Sequence, residues 1–126
     1  MNQLPNYFFL LCFLAVLTSC SSSPELNAGD EAFAKGDYPA AIDGYSQALK
    51  NNPSDLFLLF SRGRAYQEVG KNLEAKADFE AALNLDPKNF QILLSLATVQ
   101  LDQKSYASAL LYATKAEEIS GAPAMA

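Results

Sequence analysis

The chain contains no histidine and no tryptophan, and its two cysteines, Cys12 and Cys20, both fall within the first twenty residues. Everything after residue 20 therefore lacks imidazole and thiol. That argues against a His- or Cys-based metal site, against a histidine-activated nucleophile, and against disulfides as a source of stability. Basic residues are scarce as well: Lys and Arg number 9 against 14 Asp and Glu, for a net charge of −5 at pH 7. No stretch gathers these cations into a stripe, and phosphate-rich partners need one, so nucleic acid is not expected as a partner. A glycine-rich phosphate loop is missing too. The carboxylates that stand together, Asp30 with Glu31 and Glu117 with Glu118, are sequence neighbours, which point in different directions on a helix. They read as solvated faces. Neither catalysis nor a cofactor or metal is expected.

What is present begins with an uncharged leader. Residues 1–20 carry no charged side chain, and residues 7–17 read YFFLLCFLAVL. As a helix, that run covers about half of a ~30 Å hydrocarbon core, too little to span it, and a secretory apolar region fits its length better. It is followed by LTSC, Leu17 to Cys20, and then SSSPE. An aliphatic residue, two small residues and a cysteine resemble the lipobox of bacterial lipoproteins, although MNQLPN offers no basic side chain ahead of the apolar run. The resemblance implies cleavage between Ser19 and Cys20, removal of residues 1–19, and lipidation of the Cys20 thiol. Cys12 is a poor alternative acceptor behind the bulky Leu11. Several acyl chains hold a domain firmly on a membrane. Residues 20–24 would be the lipidated cysteine and a serine spacer, and a serine after the cysteine implies sorting to the periplasmic face of the outer membrane.

The remainder is written in a period of 34 residues. GDYPAAIDGYSQALKNNP at 36–53 returns as GKNLEAKADFEAALNLDP at 70–87. The same shift aligns Gly29, Gly63 and Ala97; Ala41, Ala75 and Ala109; Tyr45 and Phe79; and Pro53 and Pro87, without a gap. Within a unit, residues 25–35 suit a helix, Gly36 and Asp37 break it, and residues 39–50 resume with an apolar stripe at a 3.6-residue spacing. Pro39 loses no hydrogen bond in a first helical turn. The small residues Gly29, Gly63 and Ala97 on the first helices, and Ala41, Ala75 and Ala109 on the facing ones, allow the two helices to approach, and Tyr45 and Phe79 fill the wedge between hairpins. The third unit departs most, with Lys104 for the turn glycine, Gln100 for Tyr66, Ala113 for Phe79 and Gly121 for Pro87.

This pattern resembles the tetratricopeptide repeat. The resemblance implies an all-α fold, a right-handed superhelical stack of three helix-turn-helix hairpins over residues 25–123, in units 22–55, 56–89 and 90–123, with a tail at 124–126. One hairpin cannot bury its own apolar face, which is why the unit recurs.

The resemblance also implies a protein or peptide partner held in a concave groove lined by the first helix of each unit. The lining residues would be Leu26, Asp30 and Phe33; then Phe57, Phe60, Arg64, Gln67 and Glu68; then Leu94, Thr98, Leu101 and Asp102. Each set shares one helical face. Two alternatives stay open at this point: Phe33, Phe57 and Phe60 pack between hairpins, or Arg64 pairs with Asp30 or Glu68. The family's clamp for acidic chaperone tails uses Lys, Asn and Arg at places occupied here by Leu26, Asp30, Ser61, Gln91 and Ser95, so that clamp is not expected.

At the far end, a last helix over 105–119 carries more apolar surface than its own hairpin needs. Tyr112, Ala113, Ala116 and Ile119 are expected to be covered by a second copy of the chain or by a partner. The functional expectation is a lipid-anchored scaffold of the bacterial cell envelope, attached to the membrane through its lipid. A self-associating structural lipoprotein and a non-catalytic subunit of an envelope enzyme are the alternatives.

Overall fold

The computed structural model describes residues 27–121, all of whose regular structure is helical. Six helices form three hairpins in chain order: α1 (Ala28–Ala34) with α2 (Tyr38–Asn51), α3 (Leu56–Glu68) with α4 (Asn72–Leu85), and α5 (Phe90–Asp102) with α6 (Tyr106–Ser120). Each helix packs on the one before it and the one after it. This is an all-α solenoid of sequential helical hairpins.

Local chemistry sets the helix starts. Asn27, Asp55 and Asn89 precede α1, α3 and α5, and each side chain accepts the N–H of the third helical residue, at Asp30, Leu58 and Ile92. Asp37 does the same for Ala40 in α2, with Pro39 in that helix's first turn. Lys71 and Ser105, ahead of α4 and α6, make no such bond.

The turn inside each hairpin needs one left-handed residue. Gly36 and Gly70 supply φ of 75° and 76°, and Lys104 adopts φ 59° at the same repeat position. The turn is otherwise preserved in the third unit: Ser105 N–H bonds to Gln100 C=O at 2.8 Å, as Lys71 bonds to Tyr66 and Asp37 to Ala32. These bonds tie up carbonyls that the helix end would leave unpaired.

The packing inside hairpins differs from the expected one. A Cβ on Gly63 would lie 2.7 Å from Cε1 of Phe79, and a Cβ on Gly29 would lie 2.5 Å from Cδ1 of Tyr45. The glycines therefore make room for the aromatic ring of their own hairpin, sixteen residues on, rather than for the alanine of the facing helix. Tyr45 and Phe79 are core side chains within their hairpins, and Phe79 also meets Phe60 with ring centroids 5.6 Å apart. A close backbone approach lies at Gly44, where a Cβ would sit 2.5 Å from the Gly29 nitrogen. In a 3.6-residue helix, a ring at position 45 reaches back one turn toward its partner helix, which the bare alignment of small residues does not reveal.

A polar network ties the first two hairpins together. Arg62 donates to both carboxylate oxygens of Asp78, Nε to Oδ2 at 2.7 Å and Nη2 to Oδ1 at 2.8 Å, and Nη1 donates to Ser46 Oγ at 3.1 Å. The Asp78 side chain is only 9% exposed. A bidentate pair of this geometry offsets the cost of burying the carboxylate. It also raises the Arg62 pKa, chiefly through the hydrogen bond Arg62 donates to Asp78.

Candidate functional site

The first helices of hairpins one and two, α1 and α3, bound a pocket of ≈ 190 Å³. Asp30 and Phe33 come from α1, Phe57, Ser61 and Arg64 from α3, and Tyr45 forms its floor from α2. The pocket is built from local necessity. Asn27 caps α1 through the Asp30 N–H at 3.0 Å, fixing where that side chain leaves the helix. Gly29 lets the Tyr45 ring pass beneath α1, and the Tyr45 hydroxyl then donates to Asp30 Oδ1 at 2.9 Å. Burial, followed by the hydrogen bond to Asp30, pushes the Tyr45 pKa up to about 12, with the Arg64 charge pulling the other way.

Arg64 is exposed, and among the described residues no carboxylate pairs with it. Its guanidinium lies over the Phe33 ring, 5.1 Å from the centroid. A cation on an aromatic face keeps its N–H edges outward, available as donors. Beside it, Phe57 is 57% exposed despite its size. The site thus offers a donor at Arg64, an acceptor at Asp30 and an apolar wall between them, an arrangement able to hold a short piece of extended peptide.

The structure distributes the predicted groove residues unevenly. Asp30, Phe33, Phe57 and Arg64 meet in the pocket. Phe60 is half-buried against Phe79 and packs on the core. Gln67 is half-buried and Glu68 exposed near the end of α3. On α5, Leu94, Thr98, Leu101 and Asp102 are all exposed. Leu26, with Ser19, Cys20 and the run at 7–17, lies outside the described residues. At the far end, Tyr112 and Ala113 are half-buried, and the Tyr112 hydroxyl approaches Glu80 Oε1 at 3.5 Å. Ile119 is exposed. Ala116 is 1% exposed and offers no surface to a partner; Tyr106, Leu110, Leu111 and Ile119 are the large exposed side chains of α6.

Sequence reasoning missed Tyr45 as a site residue. Its signal was the hydroxyl: at the same repeat position the second unit has Phe79, so the first unit carries an oxygen that a buried ring must satisfy. Among the described residues, no group of three or more His, Cys, Asp or Glu side chains is placed to hold a metal ion.

Sequence profiles of the family described as "Tetratricopeptide repeat" and as "TPR repeat" match residues 60–123 and 29–70. The chain belongs to the tetratricopeptide repeat family. It is similar to the Hsp70-Hsp90 organizing protein of Triticum aestivum, 31% identical over 86 residues, which cover 68% of this chain and 15% of that protein. Among solved structures it is similar to the TPR2B domain of yeast Sti1 in complex with pHsp70, with TM-score 0.70, 32% identity and 75% of each chain covered. The first TPR of Spaghetti (RPAP3), bound to the HSP90 peptide SRMEEVD, shares the fold at TM-score 0.71 and 21% identity over 76% of each chain. The chain spans only a small part of the curated relatives it matches, about 15% of the length of the organizing protein.

These kinships correct the envelope reading. The repeat region aligns with a plant Hsp70-Hsp90 organizing protein and with a domain of yeast Sti1, so the bacterial lipoprotein, lipidated at Cys20 and attached to the periplasmic face of the outer membrane, is withdrawn, as is the envelope scaffold. The reason lies in information content. LTSC is four residues of common types behind an apolar run, whereas the repeat match rests on many positions fixed by packing. Among the described residues, no helix is long and apolar enough to cross a membrane.

Proposed function

We propose that this member of the tetratricopeptide repeat family is a scaffold that holds an extended peptide segment of a partner protein on the face shared by α1, α3 and α5. The observation that carries this reading is the pocket between α1 and α3, where an unpaired guanidinium, a carboxylate and an exposed phenylalanine converge. An extended peptide presents alternating carbonyls and N–H groups with side chains between them, which is the complement of that arrangement. Phe90, Leu94 and Leu101, exposed along α5, continue the apolar surface. Kinship makes the C-terminal segment of an Hsp70- or Hsp90-class chaperone the partner to test first.

Fluorescence anisotropy with labelled SRMEEVD, and with a library of extended apolar heptapeptides, tests the reading. Saturable binding is expected, weakened about tenfold or more in Phe57→Ala with Arg64→Glu while the helical circular dichroism signal stays intact. Both side chains are exposed, so the fold does not depend on them. Absence of saturable binding to any of these peptides at millimolar concentration overturns it.

A further inference from the structure

We infer that Asp30 is a specificity-determining residue of the groove: it disfavours carboxylates in the pocket beside Arg64, so that the segment held there presents an uncharged side chain rather than an acidic one. The inference rests on the peptide-holding reading above and adds the class of peptide. Three facts carry it. First, the charged lining of the pocket is one anion, Asp30, against one cation, Arg64, so a carboxylate entering it finds no net positive field. Second, Asp30 is held in place and cannot swing away. Its backbone N–H is capped by Asn27 at 3.0 Å, and its Oδ1 accepts the Tyr45 hydroxyl at 2.9 Å. Third, no ion pair joins Asp30 to Arg64, so the carboxylate is not neutralised by its neighbour. Its Oδ2 has no hydrogen-bond partner among the described residues, and that oxygen is the natural acceptor for a peptide N–H. A like charge brought to the same place is opposed at close range in a partly dehydrated pocket.

The conservative variant separates charge from structure. Asp30→Asn keeps an oxygen that can accept the Tyr45 hydroxyl, removes the negative charge and exchanges the Oδ2 acceptor for an NH2 donor. Two probes suffice: SRMEEVD with a free C-terminus, and SRMQQVN with an amidated C-terminus, each titrated into the wild-type protein and the variant at low and high salt. The wild type is expected to favour the neutral peptide. In the variant the acidic peptide should gain about fivefold on the neutral one at low salt, with the gain shrinking at high salt; the neutral peptide should itself weaken modestly, because the variant lacks the Oδ2 acceptor. An unchanged thermal melt shows that the hydroxyl bond has survived. If both peptides bind the wild type equally and Asp30→Asn alters neither, the inference is overturned while the peptide-holding reading stands. If neither peptide nor the apolar library binds either protein, the reading itself falls and the inference with it.

Discussion

The middle and last hairpins occupy the same repeat frame and fill it with opposite chemistry. Where the middle hairpin has Arg62 bonded to Asp78, the last has Leu96 and Tyr112; where the middle has Gly63 under the Phe79 ring, the last has Ala97 and Ala113. The first hairpin gives a third solution, Ala28 with Gly44 and Gly29 with Tyr45. These positions are sixteen residues apart on facing helices, and they change together. A ring demands a glycine, two alanines share the space, and a cation requires its carboxylate. The repeat thus conserves the spacing of helix axes while leaving each pair free to fill the gap in its own way, as a one-dimensional array allows when each unit meets only its neighbours.

The contrast can be broken most severely at the ring. Phe79 is fully buried, and Phe79→Ala is expected to cost about 3–5 kcal/mol. Gly63→Ala should cost about 1–3 kcal/mol, because the ring must move. The double variant, which copies the last hairpin's pair, should cost clearly less than the sum of the two. Denaturant melts of the four proteins read the coupling; strict additivity would show that the ring and the glycine do not share one space.

Next comes the ion pair. Arg62→Ala strands a nearly buried carboxylate and should destabilise by about 3 kcal/mol, whereas Arg62→Leu with Asp78→Tyr, the last hairpin's choice, should recover most of that loss. A double variant as unstable as the single one would mean the middle hairpin cannot accept the apolar solution.

The two aromatic positions also differ in pH response. Tyr45 titrates near 12 when folded and near its usual value of about 10 when unfolded. Between those values the unfolded chain binds fewer protons than the folded one. Stability therefore holds below pH ~10 and falls as pH rises toward ~12. Tyr45→Phe, which copies Phe79, should flatten this alkaline loss in melts followed by circular dichroism. An unchanged slope would place the alkaline titration elsewhere.

The smallest effect lies in the turns. Lys104 adopts the left-handed conformation that Gly36 and Gly70 adopt without a steric penalty. Lys104→Gly should stabilise by about 1 kcal/mol, and Gly70→Ala should destabilise by a similar amount. A melt that moves in the same direction for both would show that backbone conformation is not what separates the turns.

Much of the fold was legible in the chain. The 34-residue spacing, the glycine–aspartate break and the proline of a first helical turn placed hairpins where they stand, because each depends only on the chain's own order or on residues close in sequence. The third turn was harder to read, since Lys104 has no intrinsic preference for φ above zero and is held there by the helix-end hydrogen bonds. The site was read in part. Asp30, Phe33, Phe57 and Arg64 were named through the resemblance to the family, but Phe60, on the same helix as Phe57 and Arg64, turns toward Phe79 because the next helix offers an aromatic partner. Arg62 passed unremarked, since its partners Asp78 and Ser46 sit sixteen residues away on either side. The envelope reading failed for the opposite reason: it leaned on a short motif that packing does not check.

By itself, then, the sequence determined the period, the helix ends and the solenoid, because backbone propensity, capping and amphipathic spacing act over a turn or two of chain. Which ring lies under which glycine, which carboxylate takes the guanidinium, and whether Arg64 rests on Phe33 or pairs with an acid were decided only when neighbouring helices came into contact. Those choices depend on distances of a few ångströms between side chains from different helices, which the order of residues along the chain does not encode locally.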